Sequence, residues 1–297
     1  NVYDNVNPII NLINPSNNTL TNIATQNFTY NVSDIGSGLK NSTLYIYNKT
    51  GLYNQTDITV SGVTQTINIM IYLVDGFYNW FVDLFDIADN KAVSTNYTLT
   101  VDTIYPTINI SINPIIVYWN ESVIFTGNFT DNLELNHTVF SIDAGTGFVN
   151  QAIPITGLIN STTITQVINQ SAGTYIEWYF TVYDVVGNSN QSVIKNFTVQ
   201  DRPTSIVMST DREVYGQGTG TQTIQPFYIN VQVEYKDILT NLAVPNPLAC
   251  LVSNTETLDV FQMNYNTTTG NFTYQVSTKD FYSNVTLIVD CLSSNYV

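Results

Sequence analysis

The strongest constraint on this chain is an internal repeat written with a period of two. When residues 8–202 are laid against themselves with a shift of about 98, landmarks recur in one order. Pro8-Ile9-Ile10-Asn11-Leu12 meets Pro106-Thr107-Ile108-Asn109-Ile110, and Phe28-Thr29-Tyr30-Asn31-Val32-Ser33-Asp34 meets Phe125-Thr126-Gly127-Asn128-Phe129-Thr130-Asp131. Gly76-Phe77-Tyr78-Asn79-Trp80 meets Gly173-Thr174-Tyr175-Ile176-Glu177-Trp178 with one residue inserted, and Asp86-Ile87-Ala88-Asp89-Asn90 meets Asp184-Val185-Val186-Gly187-Asn188. Inside each unit apolar and polar residues alternate. Phe28, Tyr30 and Val32 stand against Asn27, Thr29, Asn31 and Ser33; Val123, Phe125, Gly127 and Phe129 stand against Ile124, Thr126, Asn128 and Thr130. Successive side chains of a strand point to opposite faces, so this is the pattern of strands with one face buried. No convincing helical period interrupts it.

Units of about 98 residues, made of short alternating runs between Gly, Asn, Asp and Pro, predict β-sandwiches. Tyr78, Trp80, Val82 and Leu84 read as an inner face, as do Ile176, Trp178, Phe180 and Val182. A Trp flanked at i±2 by aliphatic residues belongs to a core rather than to a sugar-stacking platform. From Pro203 the pattern changes, but alternation continues through Ile229, Val231, Val233 and Tyr235; Leu248, Cys250 and Val252; Phe272, Tyr274 and Val276; and Val285, Leu287, Val289 and Cys291. Cys250 and Cys291 both fall on the inward parity, so a disulfide between them is expected in an oxidising exterior, two buried free thiols being the alternative. Their spacing does not fit a redox or zinc motif.

The run Val101-Asp102-Thr103-Ile104-Tyr105-Pro106-Thr107, with the turns Asp86–Asn90 and Asp184–Asn188, resembles the immunoglobulin-like repeats of bacterial and archaeal cell-surface proteins. The resemblance covers about residues 1–203. In such repeats an Asp-x-x-Gly-Asn turn closes a strand pair, and a Val-Asp-Thr-x-x-Pro run ends one repeat and starts the next. The first copy departs from this pattern, with Asp89 where the second has Gly187. What the resemblance implies is an architecture rather than an activity: an all-β chain of three tandem immunoglobulin-like β-sandwich domains. The expected division is 1–7 as a linker or joining segment, 8–104 and 105–202 as two repeats, and 203–297 as a third sandwich of a different subtype carrying the disulfide. Tyr3-Asp4-Asn5-Val6-Asn7-Pro8 aligns with Val101 to Pro106, so the sequence begins where an inter-repeat linker would.

Asn-X-Ser/Thr, the acceptor for N-glycosylation, is unusually dense. It occurs at Asn17, Asn27, Asn31, Asn41, Asn48, Asn54, Asn96, Asn109, Asn120, Asn128, Asn136, Asn160, Asn169, Asn190, Asn196, Asn266, Asn271 and Asn284. With Ser plus Thr near a fifth of residues, the chain's Asn would give about eight by chance, so the excess is more than twofold. Alternation explains how acceptors can sit inside strands: amide and hydroxyl share the outward face. The stretch 199–265 has none, and because a glycan cannot sit inside a tight protein contact, residues 203–265 are expected to supply subunit contacts. The Gly-, Thr- and Gln-rich loop 211–226 is long enough to be an interaction element.

Charged residues make up only 10% of the chain and its net charge is −15, which repels nucleic-acid backbones and anionic lipid surfaces. No apolar run reaches the roughly 18 residues that would span a bilayer, and the start lacks a signal region, so a mature, secreted polypeptide at the cell surface is expected, without direct membrane insertion. The single histidine, His137, lies within a sequon, and no triad, zinc pair or phosphate-gripping loop can be assembled. The carboxylate pairs Asp83/Asp86 and Asp131/Glu134 sit near turns, so catalysis and cofactors are not expected. Asp86, Asp89 and Asn90, or Asp131, Asn132 and Glu134, could offer oxygens to structural calcium, but turn-forming Asp and Asn are the commoner reason for such clusters and no metal site is predicted.

Two functional expectations follow. One is a non-enzymatic, glycosylated structural subunit of an extracellular filament or surface layer, a homopolymer as in archaeal surface-layer and filament glycoproteins, with Pro8–Ile13 either donated in trans or serving as the first strand of its own domain. The other is an adhesin or receptor stalk binding carbohydrate or protein on another surface through loop aromatics such as Tyr118 and Trp119.

Overall fold

A computed structural model describes residues 4–210, 228–244, 249–254, 259–277 and 287–293. Strands β1 (Ile9–Asn14), β2 (Thr19–Thr21), β3 (Thr25–Ser33), β4 (Leu39–Asn48), β5 (Gly51–Thr59), β6 (Thr64–Tyr72), β7 (Gly76–Asp86), β8 (Lys91–Val93) and β9 (Tyr97–Val101) form domain 1. Domain 2 holds β10 (Thr107–Asn113), β11 (Glu121–Thr130), β12 (Leu135–Asp143), β13 (Phe148–Pro154), β14 (Ile159–Ile168), β15 (Tyr175–Asp184), β16 (Ser189–Gln191) and β17 (Lys195–Thr198). The third part contributes β18 (Thr204–Thr210), β19 (Tyr228–Asp237), β20 (Ala249–Asn254), β21 (Val260–Gln262), β22 (Asn264–Asn266), β23 (Asn271–Ser277) and β24 (Leu287–Leu292). Among the described residues the regular structure is all strand.

Each domain packs two sheets face to face. In domain 1 they run β1-β3-β6 and β2-β9-β7-β4-β5, with β8 on β7; in domain 2, β10-β11-β14 and β13-β12-β15-β16, with β17 also on β15. Domain 3 has β18-β19-β23-β22 and β21-β20-β24. The pairings are antiparallel except β2 with β9, whose counterpart in domain 2 is the parallel bridge Tyr118–Gln200. Both repeats also carry a cis Asn-Pro bond at matching places, Asn14–Pro15 and Asn113–Pro114. Pro8–Ile13 enters β1, which pairs with β3 of its own chain, the second of the two roles expected for this segment.

The period of two places the core where the sequence reading put it. Phe28, Tyr30 and Val32 are buried on β3 while Asn27 and Asn31 face out, and β11 repeats the arrangement. Across β3 and β6, Thr66 donates its hydroxyl to the Asn31 side chain (2.8 Å) and Thr29 donates to Asn68 (2.9 Å), so the outer face is knitted by hydroxyl–amide bonds between register partners. Inside, Phe28 meets Trp80 edge to face at 5.1 Å, and Phe125 meets Trp178 in the same way at 5.0 Å. Both indole N–H groups are buried without an acceptor, so packing alone holds the two rings.

One exchange of bulk separates the repeats. Where domain 1 has Tyr30 and Val32, domain 2 has Gly127 and Phe129; a Cβ on Gly127 would lie 2.5 Å from the Phe129 ring, which fills the space left by the missing side chain. In domain 3, Val231, Val233, Tyr235, Cys250, Val252 and Phe272 build the core as their alternation predicts. Cys250 and Cys291 are bonded and stand directly opposite each other on neighbouring strands β20 and β24, so the bridge lies within one sheet rather than between the two. The side chains of Ile229 and Val276, together with Leu248, Val285, Asn284 and the loop 211–226, lie outside the described residues.

Candidate functional site: carboxylate clusters at the domain ends

Domain architecture brings three loops together at one end of each repeat. The entry segment precedes β1 or β10, the end of β3 or β11 lies beside it, and the end of β7 or β15 comes across from the other sheet. Each of these places holds an aspartate. Asp4, Asp34 and Asp86 form one cluster; Asp102, Asp131 and Asp184, their repeat equivalents, form the second; in each, ligand-competent oxygens lie within 4.8 Å of one another. Bare carboxylates at that separation repel by roughly 3 kcal/mol per pair at an effective dielectric of about 20. None of the six is ion-paired to Lys, Arg or His among the described residues.

Backbone amides partly offset that repulsion. Asp184 Oδ1 accepts from the N–H groups of Val186 (3.0 Å), Gly187 (2.7 Å) and Asn188 (2.8 Å), while its Oδ2 accepts the Asn188 amide at 2.7 Å. Asp86 likewise takes both the backbone and side-chain N–H of Asn90. The turn needs a left-handed residue before the Asn: Gly187 supplies φ 95°, and Asp89 adopts φ 69° in the first copy despite its side chain. Asp131 Oδ2 accepts from Leu133 and Glu134 N–H, and Asp102 Oδ1 from Ile104 N–H and the Asn132 amide. Asp102 Oδ2 and Asp131 Oδ1 are buried and receive nothing. In the first cluster Asp4 is better served: the N–H groups of Val6 and Ser37 bind its carboxylate and hold it below the usual carboxylate range. Gly36 allows this approach, since a Cβ there would fall 2.2 Å from Asp4 Oδ2.

Asparagines clamp the linker over the second cluster. Asn188 donates its amide to the carbonyls of Asp102 and Ile104, and Asn190 to that of Pro106, while Thr103 binds Asp75 of domain 1 through both N–H and hydroxyl at 2.9 Å. The next joint differs. Asp237 closes β19, the strand that pairs with the first strand of its domain, and accepts N–H bonds from Leu239 and Thr240 just as Asp131 does from Leu133 and Glu134. Its partner is the buried Arg202, which also donates to the Trp119 carbonyl of domain 2. Burial pushes the Asp237 carboxyl up, but the Arg202 guanidinium and the two amides outweigh it and the net shift is downward.

Of the residues singled out from sequence, Asp86 and Asp131 belong to these clusters, whereas Asp89 pairs with Lys40 and Asn90 and Asn132 act as amide donors. Asp83 pairs with Lys91 at 2.7 Å, and the His137 ring stacks on Tyr183 at 4.4 Å. Trp119, expected to be a loop aromatic open to a ligand, is partly buried against the domain 2 core, its backbone N–H bonded to the Gln200 carbonyl. The acceptors Asn17, Asn27, Asn31, Asn96, Asn109, Asn120, Asn128, Asn136, Asn169, Asn190, Asn196 and Asn266 are exposed, and Asn41, Asn48, Asn54, Asn160 and Asn271 are half-buried.

No protein-family model matches the chain, and no curated protein does. Solved structures that resemble it include the fibronectin(III)-like modules of Clostridium thermocellum CbhA, with 15% identity over 64% of this chain and 93% of that one and a TM-score of 0.31. A tetra-tandem repeat from the extending region of a large adhesion protein matches at 14% identity, over 97% of this chain and 74% of that one, with a TM-score of 0.40. A red sea bream transglutaminase matches at 10% identity over 66% of this chain and 32% of that one, with a TM-score of 0.29.

Proposed function

We propose that this chain is a non-enzymatic, N-glycosylated structural subunit of an extracellular filament or surface layer, assembled from copies of itself. The observation that carries the reading is the placement of the acceptor asparagines: every one among the described residues lies outside the core, and most stand on strands whose opposite face is packed. A glycan on each would coat both sheets and leave edges as the surfaces open to a neighbour. Such edges exist: among the described residues β18 ends its sheet within the acceptor-free stretch and exposes Ile206, Val207 and Met208 in succession. Subunit contact through residues 203–265 fits this edge, and the Cys250–Cys291 bridge fits an oxidising exterior. No helix among the described residues is long and apolar enough to cross a membrane.

The rival is a monomeric adhesin or receptor stalk, which the inward packing of Trp119 supports less well. Electron microscopy of the purified native material, paired with intact mass before and after deglycosylation, separates the two. Ordered polymers and a mass loss of many glycans are expected; monodisperse single chains would refute the polymer, and an unchanged mass would refute the sugar coat.

A further inference from the structure

The two joints of this chain are built on one plan with different counter-charges. At the first, Asp102, Asp131 and Asp184 bring carboxylate oxygens within 4.8 Å. Asp102 is 1% exposed, yet its Oδ2 has no donor, and neither has the buried Oδ1 of Asp131. An oxygen that bears charge and is closed off from water is costly unless something positive meets it. At the second joint that positive partner is built into the chain: Arg202, 7% exposed, binds Asp237, whose amide cap copies that of Asp131. Arg202 directly precedes Pro203, whereas Asp102 precedes Pro106 by four residues, so the second linker supplies a cation where the first supplies another acid.

We propose that Asp102, Asp131 and Asp184 bind a hard divalent cation of the calcium class that fixes domain 1 to domain 2, and that Arg202 is the permanent substitute for this cation between domains 2 and 3. The donor set is all oxygen, which suits calcium rather than zinc or copper. Calcium holds its oxygens at about 2.3–2.6 Å, so two on one ion stand no more than about 5 Å apart, the separation seen here. Magnesium demands a near-ideal octahedron and keeps several waters, which a closed pocket with buried ligands does not favour. The equivalent cluster at Asp4 carries no buried orphaned oxygen, and Ser37 and Val6 already bind Asp4. One strong site is therefore assigned, at the joint.

The test uses the full chain, stripped with chelator and titrated with calcium alone by calorimetry, with hydrogen exchange read at both joints. A dissociation constant of about 10⁻⁴ to 10⁻³ M is expected, the range of extracellular modules. Calcium should slow exchange of the amides of Ile104, Leu133 and Val186 by at least about tenfold and leave Leu239 and Thr240 unchanged. Asp131→Asn, which keeps size and a cap acceptor, should weaken binding at least tenfold; Asp102→Asn should do the same and raise the melting temperature in chelator, since it removes an uncompensated charge. Arg202→Gln should speed exchange at Leu239 with calcium affinity unaltered. No binding up to 10-fold above that range, full binding by both Asp variants, equal protection at both joints, or a magnesium response as large as calcium's would each overturn the assignment.

Discussion

Gly127 offers a test of how closely the core of domain 2 is fitted. The backbone there is ordinary strand, and an alanine would by itself gain roughly 0.5–1 kcal/mol from the unfolded state. Its Cβ, however, would stand 2.5 Å from Cζ and 3.0 Å from Cε1 of Phe129, a ring that is fully buried and backed by Phe180 at 6.0 Å. Displacing it is an overpacking error of about 1–3 kcal/mol, so Gly127→Ala should cost about 1–2 kcal/mol net. Phe129→Val alone opens a cavity and should cost about 2–3 kcal/mol. Combined, the valine leaves room for the new Cβ at 127, a step toward domain 1, where a side chain at the first position goes with valine at the second, and the pair should cost clearly less than their sum. Native-state hydrogen exchange on the amides of β11 and β14, which open with domain 2, reads these values in the full chain. Strict additivity within about 0.5 kcal/mol would refute steric coupling between the two positions.

Three other outcomes follow from the same geometry. Trp178→Ala should destabilise domain 2 by about 3–5 kcal/mol in denaturant titration, and a near-neutral result would contradict its 1% exposure. Cys250→Ser should lower the stability of domain 3 by up to roughly 4 kcal/mol, seen as a reducing-agent-sensitive transition, because the bridge closes a loop of 41 residues. Burial, and then the neighbouring Tyr53, push the Tyr78 phenol up to about 12 from an unfolded value near 10. Its contribution is complete below pH 10 and is lost as pH rises from about 10 to 12; Tyr78→Phe should flatten the alkaline arm of a melting-temperature profile.

Much of the fold could be read from sequence because a period of two leaves little ambiguity: one slip in register would bury Asn27 and Asn31 and expose Phe28. The repeat carried the Trp cores and the acid turns with it. What escaped was the convergence of Asp4, Asp34 and Asp86, and of their copies. The three come from separate loops, so no local spacing resembles a metal loop, and each alone has a sufficient explanation as a turn cap. The usable signal was that all three survive the repeat shift in a chain with few charges. Arg202 escaped for a related reason, since its partner Asp237 is distant in sequence. The orientation of Trp119 could not be foreseen either, because it depends on Gln200 returning to the same edge.

The parallel pairing of β2 with β9 has a mechanical meaning. Thr19, Leu20 and Thr21 face Leu99, Thr100 and Val101 close to where the chain enters and leaves domain 1. Tension applied along the molecule drags these two strands past one another in opposite senses, so the ladder bonds share the load and must fail together instead of peeling one by one. Single-molecule stretching should therefore record a tall force peak for this domain, reduced when Thr21→Pro removes an N–H from the ladder. The smaller parallel contact at Tyr118 and Gln200 should make the second domain yield first.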